Sequence, residues 1–159
     1  MNGSREAAKA AKKPNIEEIS AIVVDCAFKL HVELGPGLLE SVYEVVLAQW
    51  LSDRGLAVER QMPVAIQIGG LKFDEGFRAD IVVNGCFLIE LKSLENLLPV
   101  HSKQVLTYLR LLKIPLGLLI NFGAPTFKDG VKRIANGHSD FASSRLRVNT
   151  SSSDVTVNL

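Results

Sequence analysis

Hydrophobic residues along the chain follow two different periods, and the change of period separates predicted helices from predicted strands. Apolar side chains first recur at helical spacing through Ile16–Leu30, which predicts a helix with one buried face. Asn15, with Glu18 three residues later, has the pattern of a capping box that begins this helix, and Gly35 ends it. A second helix is predicted over Leu38–Arg54. Its expected buried stripe consists of Leu39, Val42, Val46 and Trp50.

After Gly55 the hydrophobic pattern changes to alternation, which predicts strands. Two dipeptides that favour tight hairpin turns, Gly69-Gly70 and Asn84-Gly85, divide this region. Gly76 lies inside the second stretch and indicates a bulge. The expected result is an antiparallel meander of three strands, over residues 57–68, 71–83 and 86–92.

The pattern then returns to a helix and one further strand. Val100–Lys113 has apolar residues at helical spacing, and Pro115–Phe122 is apolar throughout, as expected of a strand buried on both faces. A short element is expected around Phe127–Ile134. Helices and strands in this order predict an α/β fold in which one mixed sheet is flanked by helices.

Composition divides the chain into three zones. Residues 15–135 hold nearly all of the large apolar side chains, and this length suits a single domain. Residues 1–14 are rich in alanine and lysine, which predicts a flexible basic arm. Residues 136–159 are rich in serine, asparagine and threonine. We expect this tail to be loosely ordered, with Val155 and Val157 as a candidate edge strand.

The 159 residues carry a formal net charge of +1, so bulk charge does not by itself indicate a nucleic-acid partner. No apolar run approaches the roughly 18 residues of a membrane span, and the polar amino-terminal stretch lacks the apolar segment of a secretory signal. Cys26 and Cys86 lie in apolar runs and are expected to be buried, reduced thiols. We therefore expect a cytoplasmic protein without a membrane partner.

Two acids and a lysine interrupt otherwise apolar strands. Glu90 and Lys92 lie two residues apart and so project from one face of the third strand, while Asp80 lies in the second strand. Carboxylate oxygens are ligands for Mg²⁺ or Mn²⁺, and such an ion can activate water against a phosphate. The lysine ammonium could hold that water. The alternatives are acid–base chemistry without a metal, or a solvated Glu90–Lys92 ion pair.

How close the two acids come depends on the register of the hairpin between the second and third strands. If its turn is a two-residue loop, Val83 lies opposite Cys86 and Asp80 lies opposite Ile89. This register places Asp80 diagonally beside Glu90, within reach of a shared ion.

Two helical pairs add polar candidates. Glu40 and Tyr43 lie on adjacent turns of the second helix, and Gln104 and Tyr108 lie four residues apart on the third, so each pair shares a face. Structural roles stay open for both pairs. Glu40 in a first helical turn also suits the helix dipole, and the second pair also fits a polar helix rim.

The segment GLLESVY, residues 37–43, resembles the signature of the GxxExxY family. The segment IELKS with a preceding aspartate resembles the PD-(D/E)XK nuclease superfamily, to which that family is assigned. The resemblance runs over residues 16–134 and includes LGPGLLESVYE, RADIVV and INFG. It implies a restriction-endonuclease-like αβββαβ core, in agreement with the element order above. One departure is Ala79, which stands where the superfamily pattern has a proline that is often missing.

The resemblance implies a role for each member of the cluster. Asp80 and Glu90 correspond to the metal-binding acids, and Lys92 corresponds to the lysine that orients the water. The backbone carbonyl of Leu91 would complete the metal shell. Glu40 matches a helical acid that often adds to the site.

The same resemblance implies residues that bind the substrate. Gln104 and Tyr108 match the Q-x3-Y motif of an exonuclease branch of the superfamily and would contact DNA or support the site. Tyr43, from the GLLESVY signature, is grouped with them as a substrate-binding candidate.

Two functions follow as hypotheses. The first is a Mg²⁺-dependent nuclease, with Mn²⁺ as an alternative ion, that hydrolyses phosphodiester bonds of nucleic acid, DNA being favoured. The second is a non-catalytic module that binds nucleic acid or a protein on a nuclease-like fold, which the near-neutral charge favours. An exposed strand edge would be compatible with a homodimer.

Overall fold

A computed structural model describes residues 12–137, and their secondary structure follows the predicted order. The helices are α1 (Ile16–Leu34), α2 (Glu40–Asp53), α3 (Pro99–Leu112) and the short α4 (Phe127–Gly130). The strands are β1 (Val58–Ile68), β2 (Leu71–Val83), β3 (Phe87–Lys92), β4 (Leu116–Asn121) and β5 (Val131–Ala135). Most of the predicted arm (1–14) and tail (136–159), with Val155 and Val157, lies outside the described residues.

The five strands form one mixed sheet in the order β1-β2-β3-β4-β5. Neighbouring strands are antiparallel except β3 and β4, which are parallel and are joined through α3. The predicted α/β fold, with one mixed sheet flanked by helices, is confirmed. The short element expected around Phe127–Ile134 is a helical turn followed by an edge strand, which adds β5 to the predicted sheet.

Two clusters of buried side chains cover the two faces of the sheet. The larger cluster packs α1 and α2 against side chains that include Ile81, Ile89 and Leu118. The smaller cluster packs α3 against Leu88 and Leu119 on the other face. β3 and β4 lie between both clusters, which explains why these strands are apolar on both faces.

The start of α1 follows the predicted capping box. Asn15 Oδ1 accepts hydrogen bonds from the backbone N–H groups of Glu17 and Glu18, at 3.0 and 2.9 Å. The Glu18 carboxylate accepts the Asn15 N–H at 2.7 Å in return. Such a cap stabilises a helix by about 1 kcal/mol. At the other end Gly35 has a φ of 65°, a conformation that glycine adopts without strain.

The predicted buried stripe of α2 is wrong at Leu39 and Val42, which are exposed, whereas Val46 and Trp50 are partly buried against the core. Tyr43, Leu47 and Leu51 are fully buried, whereas Leu39 is 75% exposed. The sequence offers apolar residues on more than one face of this helix. The aromatic ring of Tyr43 takes the buried face because it stacks on Phe122, with ring centroids 4.4 Å apart.

The predicted register between β2 and β3 is wrong by one residue. Val83 pairs with Phe87, because the turn takes three residues instead of two. One further step in this register brings Asp80 opposite Glu90 rather than opposite Ile89. The two acids therefore lie closer together than the predicted diagonal.

The bulge expected at Gly76 is present in the long β1–β2 ribbon. The ladder changes register between Val64 and Ile66, whose partners Phe77 and Phe73 lie on either side of this glycine. A Cβ atom on Gly76 would lie 2.5 Å from the Ile66 side chain. Only glycine fits there without moving that side chain.

The two cysteines are free, as predicted, but they differ in burial. Cys26 is buried, whereas Cys86, in the turn after β2, is only partly buried. Among the helices within residues 12–137, none is long and apolar enough to cross a membrane.

Candidate active site

The predicted Glu90–Lys92 pair lies at the carboxyl end of β3. Glu90 and Lys92 lie two and four positions after Leu88, on the same face of the strand. Leu88 packs into the cluster beneath α3, so both residues project from that face of the sheet. Lys92 Nζ lies 2.9 Å from Glu90 Oε1, and Glu90 is only 4% exposed. The pair is therefore buried, unlike the solvated surface pair that was the alternative.

The carboxylate of Asp80 is fixed by the backbone of β3. Its Oδ2 accepts a hydrogen bond from the Leu91 N–H at 2.8 Å. Its Oδ1 has a long contact of 3.5 Å with Nε2 of Gln61. Because Leu91 lies between Glu90 and Lys92 in the chain, this hydrogen bond holds Asp80 beside both.

One oxygen of Glu90 is buried without a partner. Within residues 12–137 no donor reaches Glu90 Oε2. Burial, followed by the neighbouring charge of Asp80, raises the pKa of this carboxyl to about 7 against the opposing effect of Lys92. A buried carboxylate without a full set of partners is costly, and a bound cation would offset that cost.

The charge of Lys92 is set by the acids around it. Burial alone would lower the pKa of this ammonium group, but Glu90 above all, with Glu40 and Asp80, raises it above its ordinary value. Lys92 therefore remains a protonated donor near neutral pH. Burial also raises the pKa of Asp80, while the Leu91 N–H and Lys92 lower it.

Glu40 reaches the same region from the first turn of α2. Burial raises the pKa of its carboxyl, while the charge of Lys92 and a hydrogen bond from the Ser93 backbone lower it. The Ser93 hydroxyl donates to the Leu38 carbonyl at 2.7 Å, which ties the start of α2 to the end of β3. The charge of Lys92 therefore acts on the Glu40 carboxylate.

The acids by themselves do not complete the ligand shell of a metal ion. In the described part of the chain, no group of three or more His, Cys, Asp or Glu side chains could hold a metal ion by itself. Mg²⁺ often binds through one or two carboxylates, with waters and substrate phosphates completing its shell. Asp80 and Glu90, with one buried oxygen unpartnered, fit that mode. Their oxygen donors suit Mg²⁺ or Mn²⁺ better than Zn²⁺.

A family model of the PD-(D/E)XK nuclease superfamily matches residues 17–134, which include the whole cluster just described. The chain belongs to this superfamily. Comparisons with curated proteins and with solved structures returned no match. The five-stranded mixed sheet agrees with the restriction-endonuclease-like fold of the superfamily, and membership indicates nuclease activity.

Gln104 and Tyr108 form a polar pair, the α3 wall, on the face of the sheet from which Glu90 and Lys92 project. Gln104 Nε2 donates to the Tyr108 hydroxyl at 2.7 Å, and the Tyr108 ring stacks on Phe77 of β2, with centroids 3.9 Å apart. Burial, followed by the charge of Glu90, raises the pKa of Tyr108. Phe77 was not predicted, although an aromatic residue three positions before Asp80 is a usable signal.

Tyr43 lies in the core and not at a substrate surface, which corrects its predicted role. Its side chain is fully buried. The hydroxyl donates to the Gly35 carbonyl at 2.6 Å and accepts the Leu38 N–H at 3.2 Å. Tyr43 thus fixes the turn that precedes Glu40, and the signature residue acts through the backbone rather than on substrate.

Asn121, the last residue of β4, and Gly123 just after it support the loop that follows Lys92, and neither was predicted. Buried Asn121 accepts the N–H groups of Leu94 and Gly123, at 2.9 and 3.1 Å, and donates to the Leu94 carbonyl at 2.9 Å. A Cβ atom on Gly123 would lie 2.2 Å from that carbonyl oxygen. Their signal is the INFG segment of the resemblance, which carried no assigned role.

A fourth acid, Glu44, lies one turn after Glu40 and was also missed. It is buried on α2, where Arg60 Nε lies 2.9 Å from Oε1 and Gln61 Nε2 lies 2.7 Å from Oε2. The usable signal is an acid four residues after Glu40, on the same helical face. Both oxygens of Glu44 are paired, and Gln61 also contacts Asp80 Oδ1, at 3.5 Å.

Proposed function

We propose that this member of the superfamily is a nuclease that depends on a divalent metal and hydrolyses phosphodiester bonds, with DNA as the favoured substrate. The observation that carries the proposal is the buried Glu90, whose Oε2 has no donor among the described residues. Asp80 and Lys92 lie beside it. The GLLESVY segment supports membership of the GxxExxY family within the superfamily.

Asp80 and Glu90 would hold Mg²⁺ or Mn²⁺, with the Leu91 carbonyl as a further oxygen ligand, and Glu40 would add its negative charge to the site. When bound, the ion would supply an acidic water and neutralise charge that develops on the phosphate. The acids themselves attract the cation, because the net charge of Asp80, Glu90, Glu40 and Lys92 is negative when all are ionised.

Lys92 would hold the attacking water and the phosphate. An ammonium group has three N–H donors, and one of them is used on Glu90 Oε1 at 2.9 Å. Two donors therefore remain for the water and for a phosphate oxygen. Because its pKa is raised, Lys92 stays charged and stabilises developing negative charge rather than removing a proton.

Tyr108 and Gln104 would contact the nucleic acid at the α3 wall. The Tyr108 hydroxyl accepts a hydrogen bond from Gln104, so its own O–H is available to donate to a phosphate oxygen. The stack of Tyr108 on Phe77 holds this hydroxyl in place. The pair would therefore position the substrate without taking part in the bond cleavage.

Metal titration tests the carboxylate site directly. Calorimetry with Mn²⁺ and Mg²⁺ should show binding to the wild type and none to the variant Asp80→Asn/Glu90→Gln. The matched control is Glu33→Gln/Asp74→Asn, which removes the same charge from two exposed acids and should bind like the wild type. Equal binding to all three proteins would contradict the assigned ligands.

Cleavage assays then separate an enzyme from a binding module. DNA and RNA strands of one sequence should be cut only with the metal present, DNA faster, and not by the double variant. Nucleic-acid binding that needs no metal, is unaffected by Lys92→Ala and gives no cleavage would instead favour the non-catalytic module. Faster RNA cleavage would overturn the substrate preference alone.

Assembly and location are further parts of the proposal. β1 is an edge strand with an exposed end at Ile68, which supports strand pairing in a homodimer. Sedimentation at several concentrations measures that state. The free thiols of Cys26 and Cys86 are typical of a reducing compartment and support a cytoplasmic location, which imaging of a tagged chain tests.

A further inference from the structure

Gln61 has a left-handed backbone inside a strand. Its φ is 49°, in a region that residues other than glycine rarely adopt. The other described non-glycine residues with positive φ are Asn84, in a turn, and Lys113, at the carboxyl cap of α3. Gln61 lies neither in a turn nor at a helix cap, so contacts with its surroundings must hold it in this conformation.

The side-chain amide of Gln61 lies between the buried Glu44 and the half-buried Asp80. Its Nε2 lies 2.7 Å from Glu44 Oε2 and 3.5 Å from Asp80 Oδ1. An amide nitrogen carries two hydrogens, so it can donate one to each carboxylate. The other oxygen of Glu44 is held by Arg60 Nε at 2.9 Å, which leaves Glu44 a fixed support for the amide.

The backbone of Gln61 is also held from β2. Arg78 Nη1 donates to the Gln61 carbonyl at 3.3 Å. The β1–β2 pairing keeps one register from Val58 to Val64, so the unusual φ does not arise from a bulge. The conformation of Gln61 is therefore a local feature of the segment that faces Asp80.

A neutral donor has a particular advantage beside a metal-binding acid. An arginine or lysine in this place would neutralise Asp80 and compete with a cation. The Gln61 amide orients the carboxylate and leaves its charge available. Arg60, the charged member of the group, contacts Glu44 instead of Asp80.

We infer that Gln61 is a positioning residue that directs the carboxylate of Asp80 through the chain of contacts Arg60–Glu44–Gln61–Asp80. The effect on metal binding rests on the proposed function, in which Asp80 is a ligand. The effect on Asp80 itself does not need a metal. In this role Gln61 acts through Asp80 and is not itself a ligand of the ion.

The variant Gln61→Gly tests the inference because it removes the amide and relieves the backbone. Its control, Gln67→Gly, places a glycine at an exposed glutamine on the same strand. Mn²⁺ should bind Gln61→Gly about 10-fold to 100-fold more weakly than the control, as for other outer partners of metal ligands. The thermal midpoint of the metal-free variant should stay close to that of the control, since the relief of a positive φ by glycine offsets the lost hydrogen bond to Glu44.

Hydrogen exchange of the Leu91 amide gives a second measurement without metal. The Leu91 N–H donates to Asp80 Oδ2, so a displaced Asp80 should make this proton exchange faster in Gln61→Gly and not in Gln67→Gly. Gln61→Asn, which keeps an amide and tolerates a left-handed backbone, should restore part of the protection. It also replaces Gln61→Gly if that variant does not fold.

The two measurements separate the two proposals. Unchanged Leu91 exchange in the Gln61 variants would overturn the positioning role, whatever the metal affinity. Faster exchange, in a protein whose wild type neither binds Mn²⁺ nor cleaves nucleic acid in its presence, would support the positioning of Asp80 and overturn the metal-dependent nuclease. A midpoint far below that of Gln67→Gly with unchanged exchange would make Gln61 a support of the fold only.

Discussion

β3 and β4 are parallel neighbours of six residues each, and each buries one polar side chain. Asn121 in β4 is 2% exposed, and both ends of its amide are hydrogen-bonded. Glu90 in β3 is equally buried, yet its Oε2 has no donor in the described part of the chain. Burial of a polar group therefore does not by itself indicate function. The unsatisfied atom does, because folding alone gives no reason to keep it.

Removal of the Glu90 charge should produce the largest effect on activity. Glu90→Gln keeps the size of the side chain but loses a ligand for the ion, so metal-dependent cleavage should fall by more than about 100-fold, the upper end of losses at outer partners of ligands. Cleavage rates at saturating Mn²⁺ measure this. Cleavage within a few-fold of wild type would remove Glu90 from the site.

Asn121→Ala should instead produce the largest effect on stability. The change leaves the Leu94 N–H, the Leu94 carbonyl and the Gly123 N–H without their partner. The free energy of unfolding should fall by about 3 kcal/mol, as expected when buried polar groups lose their bonds. Urea denaturation beside Asn96→Ala, an exposed asparagine of the same loop, measures it. A loss of stability no larger than in that control would contradict a structural role for the hydrogen bonds of Asn121.

The raised pKa of Glu90 sharpens the comparison through pH. Because its pKa is about 7 in the folded protein against an ordinary 4.5, the folded state binds the proton more tightly. The metal-free protein should thus lose stability, by at most about 3 kcal/mol, as pH rises from about 4.5 to about 7. This loss should shrink in Glu90→Gln. Urea denaturation at pH 4.5 and 8 with a chelator measures the free energy of unfolding of both proteins. An equal change between the two pH values in both proteins would refute the assignment of this proton to Glu90.

The sequence was sufficient for the elements and for the cluster, because both depend on local patterns. Hairpin dipeptides and hydrophobic periods locate strands, and charges inside the apolar β3 stand out. The register of β2 on β3 was not predictable, since a third turn residue changes which side chain faces Asp80. The buried face of α2 was missed for a related reason. Its choice depends on the stack of Tyr43 on Phe122, a contact between residues far apart in the chain.

The supporting residues could not be derived from spacing. Gln61 and Asn121 are ordinary polar residues in sequence, and their roles come from a positive φ in one case and from a returning loop in the other. Gly123 matters only because the Leu94 carbonyl passes where its Cβ would be. Patterns of residue type therefore identify the groups that carry charge, whereas the residues that hold them in place emerge only from tertiary contacts.

The smallest effect should come from Tyr43→Phe. This variant tests, on a hydroxyl, the rule that a buried polar group with satisfied hydrogen bonds has a structural role. The Tyr43 O–H is satisfied by Gly35 and its oxygen by Leu38, so its loss should lower stability by about 1 kcal/mol and leave kcat and KM nearly unchanged. Tyr108→Phe also removes a tyrosine hydroxyl, at the α3 wall. It should raise KM with little loss of stability. Denaturation and cleavage kinetics on the matched pair decide the matter. If Tyr43→Phe lowered kcat at unchanged stability, the hydroxyl would belong to the site, and hydrogen-bond satisfaction would no longer distinguish structural from functional polar groups here.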